Sequence, residues 1–199
     1  MDLGTGDGRA VLAAASADPH ALVVGIDAEA TAMAEASRRA SRSGRPAGVP
    51  NAIFVASGAD RLPAELNGFA ARVTVRFPWG SLLRGALGLE PGMTAAIARL
   101  VAPGGELAIV LSLLARDAVD GRHAGPFGAG DIARIRTAFA RHGLRLEVAH
   151  RMTPAELAAT SSSWARRLRA GADRPAWSLR FRRGAESPAS GPSGERAIG

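Results

Sequence analysis

Four short apolar runs, Ala21–Ile26 (ALVVGI), Ala52–Ala56 (AIFVA), Ala71–Phe77 (ARVTVRF) and Glu106–Leu114, recur too far apart to be joined by hairpin turns. Strands that pair in parallel need a crossover of a dozen or more residues, usually a helix. The intervening stretches supply it. Ala28–Arg42 carries small apolar residues along one side, and Pro91–Val101 starts on a proline and closes at Pro103-Gly104-Gly105. Further on, Asp131–His142 reads as an amphipathic helix ended by Gly143, and Leu144–His150 reads as a strand. Thr153-Pro154-Ala155-Glu156 has capping-box form and predicts a helix running on through Ser161-Ser162-Ser163-Trp164-Ala165-Arg166-Arg167. Ala176–Arg182 alternates as a last strand. The alternation predicts an α/β fold, a doubly wound and mostly parallel sheet with helices on both faces.

At 199 residues the chain holds one good core. Residues 1–184 are expected to form that domain, and the Ser/Pro/Gly-rich stretch 185–199 a disordered tail. Without cysteine there is no disulfide framework and no thiolate metal site, and the four histidines lack metal-type spacing, so no metal is expected. Nothing resembles a signal peptide, and the longest apolar stretch has only strand length, which predicts a soluble, cytoplasmic protein. Formal net charge is +7 and every basic side chain is arginine, a usage that a GC-rich genome alone can produce. The positive excess still suits a polyanionic partner, because guanidinium groups pair with phosphate in bidentate fashion.

Ligands in such sheets bind beyond the carboxyl ends of the strands. Attention therefore falls on Asp2–Asp7, Asp27, the loop after Ala56 and the Pro78–Leu83 segment. The chain opens MDLGTGDGRA, with glycines at alternate positions where a tight turn meets a helix start. Two carboxylates, Asp2 and Asp7, are poor company for a pyrophosphate but suit a sulfonium and an amino group. Asp27 closes the next strand about 20 residues on, where an acid can accept both ribose hydroxyls. The combination points to S-adenosylmethionine.

A second constellation is Phe77-Pro78-Trp79-Gly80-Ser81-Leu82-Leu83-Arg84-Gly85. Enzymes that methylate exocyclic adenine amines carry an Asn/Asp-Pro-Pro-aromatic turn at this place, whose polar side chain holds the amine. Here a tryptophan stands instead, which favours a ring nitrogen as nucleophile; Trp79 could equally be a simple anchor for the turn. The third, SSSWARRL, places Leu157, Trp164 and Leu168 near one helix face, a spacing that core packing also explains. Its Ser/Trp/Arg composition fits a sandwich of two tryptophans around a flipped base.

Together DLGTGDGR, FPWGSLLRG and SSWARRL resemble the aminoglycoside-resistance 16S rRNA (adenine(1408)-N(1))-methyltransferases, over most of the chain to about Arg182. The resemblance implies a class I, Rossmann-like methyltransferase with a seven-stranded sheet, acting on N1 of one adenine in the decoding site of the 30S subunit. It implies that Asp2, Gly4 and Gly6 line the cofactor cleft, that Asp27 holds the ribose, and that Ala59 lies beside the cofactor adenine. Trp79 and Trp164 would stack on the flipped base with Ser162 close by, while Arg38, Arg39, Arg42, Arg167 and Arg174 would contact RNA. Adenine N1 already carries a lone pair, so no general base is expected, and catalysis reduces to positioning and to charge stabilisation by the indoles. Family members carry more of the first strand and a hairpin ahead of the glycine turn, so an upstream start or a truncated copy is expected here. A methyltransferase of another RNA or of a metabolite, and an inactive RNA-binding remnant, are the competing readings. The enzyme is expected to act as a monomer.

Overall fold

The computed structural model describes residues 1–42, 48–114, 118–119, 122–123, 127–160 and 174–185. Nine strands occur among these: β1 (Asp2–Leu3), β2 (Val23–Asp27), β3 (Ala52–Ala56), β4 (Ala70–Arg76), β5 (Val101–Leu111), β6 (Ala118–Val119), β7 (Arg122–His123), β8 (Leu144–Arg151) and β9 (Trp177–Arg183). Six α-helices join them: α1 (Arg9–Ala17), α2 (Ala30–Ala40), α3 (Gly80–Ala86), α4 (Pro91–Arg99), α5 (Ala129–Ala140) and α6 (Pro154–Ala159). Seven strands form one sheet in the order β3-β2-β1-β4-β5-β9-β8, with β6 and β7 a separate pair. All pairings from β3 to β5 are parallel; β9 runs antiparallel to both of its neighbours. The predicted doubly wound architecture is present, and its strand order reverses at β1.

Helices cover both faces. Val11, Leu12 and Ala15 of α1 pack with Ala36 and Ala40 of α2 on one side. On the other, Leu83 and Leu87 at α3, Ile97 of α4, and Ile135 and Phe139 of α5 close over Leu3, Ile26, Val75, Leu107 and Ile109. Central strands buried on both faces read as continuous apolar runs, which is why β2 and β5 were visible as such. The rings of Phe139 and Phe181 meet at 5.0 Å, fixing α5 against β9. Met1 is half-buried against this core, and its carbonyl accepts a hydrogen bond from the Thr74 N–H at 2.8 Å.

Several boundaries differ from expectation. The helix from Pro91 ends at Arg99, and the next strand begins at Val101, so Pro103-Gly104-Gly105 lies inside β5. Gly104 takes φ 70°, and the β4–β5 register shifts between Ala70 and Arg72, so the proline and glycines make an irregularity in the strand. The segment after Trp79 is a helix, α3, with Trp79 as its N-cap residue. Helix α2 spans Ala30–Ala40, two residues shorter at each end than expected, because the Glu29 side chain caps its start by accepting from the Thr31 N–H. The capping box at Thr153 and Glu156 is as predicted. The SSSWARRL stretch and residues 186–199 lie outside the described residues.

Candidate functional site

Where strand order reverses, the loops leaving β1 and β4 diverge to opposite faces and a crevice opens between them. Here it is a cavity of about 490 Å³ at the carboxyl ends of β1, β2, β3 and β4. Its floor is the glycine turn. Gly4, Gly6 and Gly8 have φ of 69°, 59° and 70°, a left-handed geometry that is costly for any side chain. A Cβ on Gly4 would stand 2.8 Å from Leu82 Cδ2, and one on Gly8 would stand 2.5 Å from Phe54 Cε1 and 2.6 Å from Ala36 Cβ. Each glycine thus serves either the open cleft or the close packing of α1 on α2 and β3.

Asp27 locks this turn in place. Its Oδ2 accepts the Gly6 N–H at 2.8 Å and its Oδ1 accepts the Glu29 N–H at 2.9 Å. A carboxylate offers about four lone-pair directions, so both oxygens keep capacity for ribose hydroxyls. Ala59, 7 % exposed in the short 3₁₀ turn Ala59–Arg61, lines the opposite wall with Ser57, Gly58 and Asp60. Pro78, Trp79, Ser81 and Leu82 form the remaining side. Trp79 is 52 % exposed, unusual for so large an apolar ring, and it stands at the lip of the cleft. The residue before the proline, Phe77, holds φ 49°, an uncommon backbone for a bulky side chain, while its ring is buried with Val110, Leu157 and Ala176.

The electrostatics of the cleft oppose those of the chain. Among the described residues four carboxylates, Asp7, Asp27, Glu29 and Asp60, line the cavity and no arginine does, although the net charge of the chain is +7. A cationic small molecule is favoured inside and a polyanion outside. The residues therefore fit S-adenosylmethionine: an open backbone cradle, an acid placed for the ribose, and carboxylates around a positive sulfonium. Among the described residues no three His, Asp or Glu side chains converge as metal ligands.

Of the sequence-predicted residues, Gly4, Gly6, Asp27, Ala59 and Trp79 meet around this one cavity. Asp2 lies beside it, 6 % exposed, where the Thr74 hydroxyl donates to its Oδ1 and Arg76 Nη1 approaches the same oxygen at 3.2 Å. Arg174 sits at the same end of the sheet, its Nη2 donating to the Ser112 carbonyl at 3.0 Å. Arg38, Arg39 and Arg42 do not join them. They are exposed at the far end of α2, about 16 Å along a helix that runs away from the cleft. Arg38 is paired there with Glu35 at 2.7 Å. Trp164, Ser162 and Arg167 lie outside the described residues. Glu29 was missed, two residues beyond Asp27, which was the available signal; Ser57 and Asp60 lie in the singled-out loop after Ala56, and Phe77 opens the second constellation, without a role having been assigned to them.

Residues 1–182 match the family model NpmA: 16S rRNA (adenine(1408)-N(1))-methyltransferase. The chain belongs to this family. A 16S rRNA (adenine(1408)-N(1))-methyltransferase of Streptoalloteichus tenebrarius is 35% identical over 177 residues, which is 87% of this chain and 81% of the relative. One of Escherichia coli is 36% identical over 83 residues, 42% of this chain and 38% of the relative. Among solved structures, the family's W203A mutant with cosubstrate SAM from Catenulisporales acidiphilia superposes with a TM-score of 0.82 at 31% identity, covering 94% of this chain and 86% of that one. The 16S rRNA methyltransferase KamB gives a TM-score of 0.81 at 34% identity, over 92% and 86%. The fold is thus that of these methyltransferases, as expected.

Proposed function

We propose that this protein transfers a methyl group from S-adenosylmethionine to N1 of adenine 1408 in the 16S rRNA of the 30S subunit, and thereby confers aminoglycoside resistance. The observation that carries the reading is a carboxylate-lined cleft, floored by left-handed glycines, with the exposed indole of Trp79 at its lip. The first part fits a cationic cofactor. The second offers a stacking face to a base turned out of the RNA, an interaction worth about 1–3 kcal/mol.

When bound, the cofactor supplies an electrophilic methyl on sulfur, and the bonding pair stays with sulfur as the methyl leaves. Asp27 orients the ribose, and the backbone of Gly4 and Gly6 lets the rest of the cofactor lie close to the turn. Adenine N1 forms the new bond with its own in-plane lone pair, so no side chain has to remove a proton first. The base becomes cationic as it is methylated, and the face of Trp79, with that of Trp164, stabilises the developing charge. Holding the nitrogen in line with the methyl is then the main catalytic task. The arginines, Arg167 and Arg174 near the flipped nucleotide and Arg38, Arg39 and Arg42 on phosphates, hold the RNA. We take the active species to be a cytoplasmic monomer; no helix among the described residues is long and apolar enough to cross a membrane.

The test is incubation with 30S subunits and labelled cofactor, followed by primer extension. A stop at the decoding-site adenine is expected. Label elsewhere in the RNA, or none despite intact cofactor binding, would overturn the reading. Trp164→Ala and Trp79→Ala should each abolish methylation while cofactor affinity stays nearly unchanged; a large loss of cofactor binding would remove the stacking role.

A further inference from the structure

At the end of the sheet away from the cofactor cleft, a second cavity of about 870 Å³ lies between the C-terminal half of α5, the first residues of β8 and the last of β9. Its charge is the reverse of the cleft's. Arg136, Arg145, Arg182 and Arg183 line it, and among the described residues no carboxylate does. The four come from three elements, which the antiparallel pairing of β8 with β9 brings together at one edge of the sheet.

Folding alone gives a poor account of this cluster. Arg145 and Arg182 stand directly opposite each other across β8 and β9, an arrangement that like charges destabilise. Glu147 lies 2.8 Å from Arg145 Nη2 and 3.7 Å from Arg182 Nε, while Glu106 is shared between Arg182 at 3.7 Å and Arg72 at 3.1 Å. These acids are already outnumbered before Arg136 and Arg183 are considered. Arg183 Nη2 donates at 3.0 Å to the His142 carbonyl, just beyond the end of α5, but its Nε is buried with no hydrogen-bond partner. Arg136 is exposed and has no partner among the described residues. A buried donor without an acceptor is rare in folded proteins, and an acceptor entering the cavity would satisfy this one.

Several guanidinium groups around one recess, with Thr137 among the lining, suit an anion of more than one charge and many acceptor oxygens. Phosphate has that chemistry, whereas a lone carboxylate would leave most of the donors idle. Strand β5 has 11 residues, roughly 35 Å at about 3.3 Å each, so Trp79 and this cavity stand at opposite ends of the domain. One nucleotide cannot meet both, which argues for a second, free-standing ligand. We propose that this cavity binds the phosphates of a small polyphosphate, such as a nucleoside diphosphate, with Arg136 and Arg183 as its principal contacts. The site shares no residue with the cofactor cleft, so it stands or falls apart from the methylation reading.

Calorimetric titration of the full chain with pyrophosphate, at fixed ionic strength, tests it. Saturable binding at one site per chain is expected. Arg183→Gln should weaken it about tenfold, and so should Arg136→Gln, whose exposed, unpaired side chain can be changed without disturbing the fold. Arg151→Gln, an exposed arginine at the cleft end of β8, should leave the affinity within about twofold. All three variants should bind S-adenosylhomocysteine as the parent does. Absence of saturable binding at millimolar pyrophosphate would overturn the site. Equal weakening by Arg151→Gln would do the same, since it marks general charge attraction. If Arg136→Gln leaves pyrophosphate binding unchanged and weakens binding to 30S subunits, the surface is an RNA contact and the small-ligand site is refuted.

Discussion

Gly8→Ala should cost this protein much of its stability, and the structure gives the size. Gly8 sits at φ 70°, where a side chain costs about 1–2 kcal/mol per residue. Its new Cβ would lie 2.5 Å from a ring carbon of Phe54 and 2.6 Å from the methyl of Ala36. The alanine methyl is fixed to its helix and the ring is held in the β3 layer, so overpacking adds about 1–3 kcal/mol. The expected loss is about 2–5 kcal/mol out of a typical margin of about 5–15, lowering the melting temperature by roughly 4–20 °C at this chain length. Urea unfolding followed by circular dichroism measures it. The matched control is Gly92→Ala in α4, where a Cβ meets nothing within 4 Å. That change should be neutral or stabilise by up to about 1 kcal/mol. A Gly8→Ala loss below about 1 kcal/mol, with the slope against urea unchanged, would refute the packing argument.

Two further outcomes are expected. Asp27→Ala removes the acceptor of the Gly6 and Glu29 N–H bonds as well as the ribose acceptor, so cofactor affinity should fall at least tenfold, read by calorimetry; an affinity within threefold of the parent would count against its role. The Glu156 carboxyl is held down at about 2, from the ordinary 4.5, chiefly by the Thr153 N–H, then by His150 and the Thr153 hydroxyl. A depressed acid stabilises above its unfolded value, so this contribution is complete above about pH 4.5 and disappears as pH falls towards 2. Carbon-13 titration of the Glu156 carboxyl should find the low value, and Thr153→Ala should raise it only in part, since it removes the hydroxyl and leaves the backbone N–H and His150 in place.

The parallel half of the sheet was legible because strands buried on both faces advertise themselves as unbroken apolar runs. Asp27, the loop after Ala56 and the Pro78–Leu83 segment were legible because strand ends are where such sheets keep their ligands, whereas Ala59 itself came with the family resemblance. Other features depend on neighbours that sequence order conceals. Pro103, Gly104 and Gly105 read as a stop, yet β4 pairs with Val101 before them and with Glu106 after them, so the strand continues past the irregularity. Helix α3 is only seven residues long, too short to show a period. The Asp2–Arg76 pair exists because β1 lies beside β4, a topological fact with no local signature. Asn51 is a similar case, its Nδ2 within 3.0 Å of the carbonyls of Ala15, Asp18 and Ala21, tying the end of α1 to the start of β3.

The direction of α2 carries a consequence for what the enzyme can recognise. The helix begins beside Asp27 and Glu29 at the cleft and delivers Arg38 and Arg39 to the opposite end of the sheet. A ligand that offers a base to Trp79 and phosphates to those arginines must therefore reach around the flank of the domain. A short loose strand, lying across the cleft alone, meets one contact or the other. A rigid surface that already displays its base and its phosphates at that separation meets both without further ordering. Selectivity for an assembled ribosomal particle over free RNA would then be a matter of span, set by the length of one helix.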